Sequence, residues 1–89
     1  MKGIITVVGK DQVGIIAKVC TLLADNDVNI LDISQTIVQG YFNMMMIVDV
    51  SQSDSIFEQL VEDLDNLGKQ IGVIIKFQHE DIFNSMHRI

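Results

Sequence analysis

The sequence predicts an α+β sandwich in which two helices cover one face of a four-stranded antiparallel sheet. A run of β-branched residues opens the chain, a strictly alternating apolar pattern lies in its middle, and two other stretches show the helical period. The resulting order is strand, helix, strand, strand, helix, strand, which is the ferredoxin-like βαββαβ arrangement. Right-handed crossovers would place the first and third strands at the centre of the sheet, with the second and fourth at its edges.

Residues 4–8 form the first predicted strand, because isoleucine, valine and threonine favour extended backbone. The helix that follows has apolar residues at the i, i+3, i+4, i+7 spacing of an amphipathic helix. We predict Asp11 as its N-cap and Asn26 as its left-handed C-terminal residue. Its apolar stripe includes the only cysteine of the chain, which we interpret as an inert, buried thiol, and consists of Ile16, Val19, Cys20 and Leu23.

Two further strands are predicted at residues 28–38 and 42–50, joined by a short turn at Gly40 and Tyr41. A connection this short favours an antiparallel hairpin. In the first of the two, alternation predicts Leu31, Ile33 and Ile37 on one face, with polar residues on the other.

The second helix is expected to begin at Ser53 or Ser55, because the latter forms a Ser-x-x-Glu capping box, and to end at Gly68. Residues 72–78 follow as the last strand, and residues 80–88 as a short C-terminal helix. At this length, residues 1–89 are expected to form a single domain.

Composition excludes several classes of partner. Twelve acidic residues against six basic ones give a formal net charge of −6, which opposes direct contact with nucleic acid or an anionic membrane. The apolar runs are too short to cross a bilayer, so a cytoplasmic location is expected. A hydrophobic content of 48% is high for so small a core and predicts a homodimer or higher oligomer. The apolar surface expected on the helix-free face of the sheet consists of Ile5, Val7, Met45 and Ile47.

The candidate functional feature is the glycine-bracketed segment from Gly9 to Gly14, between the first strand and the first helix. Glycines allow close approach of a ligand, and free N–H groups at a helix start suit a carboxylate. The same pattern also fits a tight connection without a ligand. No nucleophile–base pair or carboxylate pair is placed by the sequence, so we predict no catalytic residue, no metal and no cofactor.

Several short motifs, in order, resemble those of ACT domains: ITVVGKD at 5–11, GIIA at 14–17, NI at 29–30, DISQT at 32–36 and FNMMM at 42–46. The chain resembles a stand-alone ACT domain protein over nearly its full length. It is most similar to small bacterial proteins made of one ACT domain, and less similar to the repressor-like regulators of glycine cleavage.

This resemblance implies a non-catalytic regulatory module that binds a small amino acid or related metabolite at a homodimer interface, and that acts on a regulated protein. It assigns the ligand loop to Asp11, Gln12, Val13, Gly14 and Ile15, which face the start of the second strand across the interface, at Asn29, Ile30 and Leu31. The family loop has proline where this chain has Val13, so the loop is expected to be less rigid. The alternative is a protein-interaction or dimerisation module with no metabolite, suggested by the adaptable side chains of Met44, Met45 and Met46.

Overall fold

The strands and helices lie in the predicted order in a computed structural model that describes residues 2–50 and 54–81. They are β1 (Lys2–Lys10), α1 (Ile15–Asp25), β2 (Asn29–Val38), β3 (Tyr41–Asp49), α2 (Asp54–Ile71) and β4 (Val73–His79). Of the predicted C-terminal helix over 80–88, only Glu80 and Asp81 are described, and both are helical; the rest lies outside the described residues. Of the two predicted starts of α2, Ser53 also lies outside them, and Ser55 is wrong, because the helix already includes Asp54. Neither described helix is long and apolar enough to span a membrane.

The four strands form one antiparallel sheet in the order β2-β3-β1-β4, which confirms the predicted topology. The core lies between the helices and one face of this sheet. On that face Ile5 is level with Met46 of β3 and Phe77 of β4. Fully buried residues from both helices pack against them, namely Val19, Leu23, Leu60 and Leu64.

The expected apolar surface on the helix-free face is partly wrong. Ile5 and Val7 are fully buried in the core beneath the helices. The residues of β1 that share the helix-free face with Met45 and Ile47 are Ile4, Thr6 and Val8. Because β1 is apolar on both faces, its pattern alone does not determine which residues point inward.

A β-bulge in β2 changes the predicted alternation of that strand. The register shifts between Ile30 and Asp32, so Leu31 is the extra residue. Beyond the bulge, Ile33 is paired with Met46 and Ile37 with Phe42, both on the core side. Leu31 therefore lies outside the regular alternation that places Ile33 and Ile37 on one face, and residues 32–38 form the regular part of the strand.

Both predicted helix ends also need correction. At the end of α1 the left-handed residue is Asp27, with φ 57°, whereas Asn26 has φ −106°. Helix α2 continues through Gly68 to Ile71, and the left-handed residue that follows is Gly72, with φ 78°. Gly68 instead allows α2 to pack closely against β4, because a Cβ atom at this position would lie 2.7 Å from the carbonyl oxygen of Val73.

Gly68→Ala is therefore expected to destabilise the protein, although alanine is about 1 kcal/mol better than glycine inside a helix. The added methyl group has to displace the backbone of β4, and overpacking of this kind typically costs about 1–3 kcal/mol. Urea denaturation should show a lower midpoint than wild type. The control is Asn66→Ala, at an exposed position of the same helix, which should keep or raise the midpoint. A raised midpoint in Gly68→Ala would contradict the packing role.

Candidate functional site

A groove of about 450 Å³ lies where the loop after β1, the start of α1 and the end of β2 meet. This volume is within the range of small-molecule sites. Its walls are mostly apolar, with three polar side chains among them. The groove is lined by Asp11, Gln12, Gly14, Ile15, Ile16, Ala17, Gln35, Ile37 and Phe42.

The start of α1 presents backbone donors to this groove. Gly14 is the N-cap residue, with φ 91° and ψ 3°, and it supplies no side chain to cap the helix. The first intrahelical hydrogen bond is donated by the Lys18 N–H to the Gly14 carbonyl, at 3.0 Å. The N–H groups of the three residues between them therefore precede the helical ladder. With no acidic side chain in the first turn, this end of the helix suits an anionic group.

Asp11 is not the N-cap that the sequence predicted. The left-handed turn at Gly14 leads the chain into α1, three residues after Asp11. Asp11 instead holds the loop through its backbone N–H, which donates to the Gly40 carbonyl at 2.8 Å. Its carboxylate is exposed and lines the groove.

The other predicted loop residues have different surroundings. The Gln12 side chain donates from Nε2 to the carbonyl oxygen of Ile71 at 2.6 Å. Val13 is 100% exposed and does not line the groove. Ile15 is buried and joins the groove to the core. The loop is thus tied to two other turns of the protein, with Val13 at its tip.

The second predicted set, Asn29, Ile30 and Leu31, lies at the opposite end of the sheet. Within one chain, Val38 pairs with Tyr41, which pairs with Lys10 next to the loop. Asn29 pairs with Asp49, which pairs with Lys2 at the other end of the sheet. Nine residue steps of about 3.3 Å separate Asn29 from Val38, or roughly 30 Å. A single chain therefore does not bring the two predicted sets together.

Sequence reasoning missed the part of the groove that comes from the hairpin and the first turn of α1. Gln35 and Ile37 of β2 and Phe42 of β3 line it, with Ile16 and Ala17 from the helix. One signal was present in the sequence: Gln35 interrupts an otherwise apolar face between Ile33 and Ile37. A polar side chain at such a position marks a wet surface or a binding site rather than core.

The described residues contain no group of three or more histidine, cysteine and acidic side chains that could hold a metal ion. His79 stacks on Phe57, with ring centroids 4.1 Å apart. Cys20 is partly buried and packs against the core.

The groove offers backbone donors, amide groups and apolar walls, which are the features of a binding site for a small polar molecule.

A sheet of this order is that of the ferredoxin-like fold, and the ACT domain family profile matches residues 3–78. The chain belongs to this family and, within it, to the UPF0237 proteins. It is 61% identical over 88 residues to a UPF0237 protein of Bifidobacterium longum, covering 99% of this chain and 98% of the relative. It is 57% identical over 89 residues to a UPF0237 protein of Clostridium acetobutylicum, covering both chains completely. The resemblance predicted from the sequence is confirmed.

Solved structures agree with this assignment. An ACT domain protein from Streptococcus pneumoniae superposes with a TM-score of 0.81 and 43% identity, covering 93% of each chain. A candidate glycine cleavage system transcriptional repressor superposes with a TM-score of 0.76 and 28% identity, covering 86% of this chain and 44% of that one. ACT domains are typically regulatory modules that bind small molecules.

Proposed function

We propose that this protein is a non-catalytic regulatory module that binds a small amino acid or a related metabolite at a homodimer interface. The observation that carries the proposal is the groove at the start of α1, which has no side-chain cap and opens beside an edge of β2 that no described strand pairs with. We take residues 1–89 as one domain. Because the chain has a single cysteine and cannot form an internal disulfide, we place it in the cytoplasm.

The lining of the groove favours a zwitterionic ligand with an apolar side chain. The N–H groups of Ile15, Ile16 and Ala17 would receive the carboxylate, and the Asp11 carboxylate would attract the ammonium group. Ile37 and Phe42 would pack against an apolar side chain. None of the described residues that line the groove is basic, so aspartate and glutamate are expected to bind poorly.

The edge of β2 is the surface on which we place the second copy. Among residues 2–50 and 54–81 the strand pairs only with β3, and its residues are exposed or half-buried. Ile37 is 57% exposed and Ile33 is 41% exposed, although both are large apolar side chains. An exposed apolar edge strand is a template for pairing with another strand. A two-fold pairing of β2 with itself would satisfy its free edge and cover these side chains.

The bulge restricts the register of this pairing. The regular part of β2, residues 32–38, is centred on Gln35. Two antiparallel copies overlap over all seven residues only when Gln35 lies on the two-fold axis. Ile33 of one copy then faces Ile37 of the other, and Ser34 faces Thr36.

In this register the two predicted sets of site residues meet across the interface. Asn29, Ile30 and Leu31 of the second copy run past Val38, alongside the turn at Gly40. That turn accepts the hydrogen bond from the Asp11 N–H. Ile30, which pairs with the buried Val48, would lie on the groove side of the sheet, whereas Asn29, which pairs with the exposed Asp49, lies on the helix-free face. One groove would be built from the loop of one chain and the strand start of the other.

Cysteine cross-linking tests this register. Directly opposite residues in an antiparallel pair have Cα atoms about 4.5–5.5 Å apart, a separation that a disulfide can bridge. In a Cys20→Ala background, Gln35→Cys should give a disulfide-linked dimer under oxidised glutathione on a non-reducing gel. Ile33→Cys is the control, because it faces Ile37 and lies roughly 13 Å from its own copy. Equal cross-linking at both positions would contradict the register.

A thermal-shift screen with the twenty standard amino acids tests ligand binding. A ligand present at 100 times its Kd stabilises the folded state by about 2.7 kcal/mol, which is a shift of several degrees in a domain of this size. We expect the largest shift from a neutral amino acid with an apolar side chain, and none from aspartate or glutamate. The absence of a shift with all twenty would remove amino acids as ligands.

That result would favour the alternative, an interaction module with no metabolite. Of the three methionines that suggested it, Met44 and Met46 are buried in the core. Met45 is exposed on the helix-free face of the sheet together with Val8 and Ile74, and this apolar surface supports the alternative. A protein partner recovered in a fixed ratio, whatever amino acid is added, would be the supporting result. Substituting Val8 with lysine should then abolish the recovery.

A further inference from the structure

We infer that Gln12 is a positioning residue that fastens the ligand loop to the end of α2. Its Nε2 atom donates a hydrogen bond of 2.6 Å to the carbonyl oxygen of Ile71, and 59 positions separate the two residues in the sequence. The inference rests on the proposed function for its consequence, but the contact itself joins two elements of the ligand-free chain. It gives Gln12 a role different from that of a group that touches the ligand.

The Ile71 carbonyl belongs to the part of α2 that needs an external donor. The last four carbonyl groups of a helix have no partner within the helix. Gly72, in the left-handed region, turns the chain directly into β4 after Ile71. Lys69 is the basic residue of the last turn, and its Nζ lies 3.1 Å from the Asp65 carboxylate, one turn back. Gln12 thus acts as a C-terminal cap of α2 supplied by another element.

A close contact between β1 and β4 lies near this exposed hydrogen bond. Gly9 of β1 is paired with Val73 of β4, and a Cβ atom on Gly9 would lie 2.6 Å from Val73 Cγ1. Gln12 follows Gly9 by three residues, and Ile71 precedes Val73 by two. Both hydrogen-bonded residues therefore lie within three positions of the close contact between Gly9 and Val73. Because Gln12 is bonded to the α2–β4 turn, this turn resists a shift of the loop.

The same contact accounts for how the loop is held without proline. The chain contains no proline, and Val13 stands at the position where the family resemblance implies one. The loop is fixed by tertiary hydrogen bonds instead: the Asp11 N–H bonds the β2–β3 turn and the Gln12 amide bonds the α2–β4 turn. Holding the loop in place keeps the N–H groups of α1 directed at the groove before a ligand arrives.

Two consequences follow for binding. If the loop is in its binding-competent form only part of the time, the apparent Kd rises by the inverse of that fraction. The coupling is also reciprocal, so a ligand that holds the loop stabilises the α2–β4 turn. The turn at Gly72 is thus the place where occupancy of the groove is transmitted to α2 and β4.

Gln12→Met tests the hydrogen bond, because methionine keeps the length and flexibility of the side chain but has no N–H donor. The matched control is Gln70→Met, at an exposed glutamine next to Ile71. Hydrogen exchange followed by mass spectrometry on the ligand-free proteins should show about tenfold faster exchange in Gln12→Met, at residues 11–15 and 71–74 together. Gln70→Met should exchange like wild type. Unchanged exchange in Gln12→Met, or acceleration in the loop alone, would overturn the inference.

The screen of twenty amino acids, repeated on Gln12→Met, separates positioning from direct contact. A positioning role predicts weaker binding by about tenfold, with the same order of preference among the amino acids. A changed order of preference would show that Gln12 contacts the ligand and would overturn the inference. If no amino acid binds wild type but exchange at 71–74 still rises in Gln12→Met, the positioning contact stands and the proposed ligand fails.

Discussion

Replacing Ile33 with glutamate is expected to convert the proposed dimer into monomers. In the register centred on Gln35, each Ile33 packs against Ile37 of the other copy, so the substitution buries two carboxylates without partners. Desolvating an unpaired charge costs several kcal/mol. We expect the Kd of the dimer to rise at least about 1,000-fold, which corresponds to roughly 4 kcal/mol. Size-exclusion chromatography with light scattering measures the change directly.

The fold should survive this substitution, because Ile33 is already 41% exposed in the single chain. The matched control is Ile74→Glu, at an isoleucine that is 64% exposed on β4, the opposite edge strand. The control should remain a dimer at the same concentration. A monomeric Ile74→Glu together with a dimeric Ile33→Glu would place the interface on β4 and remove the shared groove.

The order of strands and helices could be predicted because each element has a strong local signal. Alternation in β3 and the helical spacing in α1 and α2 are properties of short segments, and short connections then restrict the topology. Three features could not be predicted in this way. The face of the sheet on which Ile5 lies depends on strand register rather than on the residues next to it in the sequence. The bulge at Leu31 has no local sequence signature. Gly68 is a residue type common at helix ends, but here it makes a close contact with β4.

The candidate site likewise has one part that the local sequence predicts and another that depends on tertiary structure. The loop that ends at Gly14 could be predicted because glycine requirements and helix starts are local. Gln35 and Phe42 reach the groove only through the pairing of β2 with β3, and the hydrogen bond from Gln12 to Ile71 depends on the whole fold. The sequence therefore indicates where a ligand carboxylate would bind, and tertiary structure is needed to describe the rest of the pocket.

Asn29→Ala is expected to abolish most of the ligand response while leaving the dimer intact. Asn29 is exposed in the single chain, at the end of β2 away from its own loop. Its removal should therefore change the free energy of unfolding by no more than about 0.5 kcal/mol. Asn29 pairs with Asp49 on the helix-free face, so in the proposed dimer its side-chain amide would reach a ligand around the end of β2 of the other copy. A hydrogen bond from this amide to a buried ligand is worth about 1–3 kcal/mol. Thermal shift across an amino-acid titration should show a Kd higher by about 5- to 150-fold.

Two further variants serve as comparisons for the result expected of Asn29→Ala. Asn66→Ala removes an exposed asparagine on α2 and should keep the full ligand response. Gly14→Val should lose the response for a different reason: its Cβ would approach only Lys18 Cε, at 4.0 Å, but φ 91° strains any side chain, and a β-branched one above all. Gly14→Val should therefore also lower the stability of the ligand-free protein, by about 1–3 kcal/mol, whereas Asn29→Ala should not. If Asn29→Ala unfolds the protein or splits the dimer, Asn29 is a structural residue; if it retains wild-type affinity, the second copy contributes its groove contacts from elsewhere on β2.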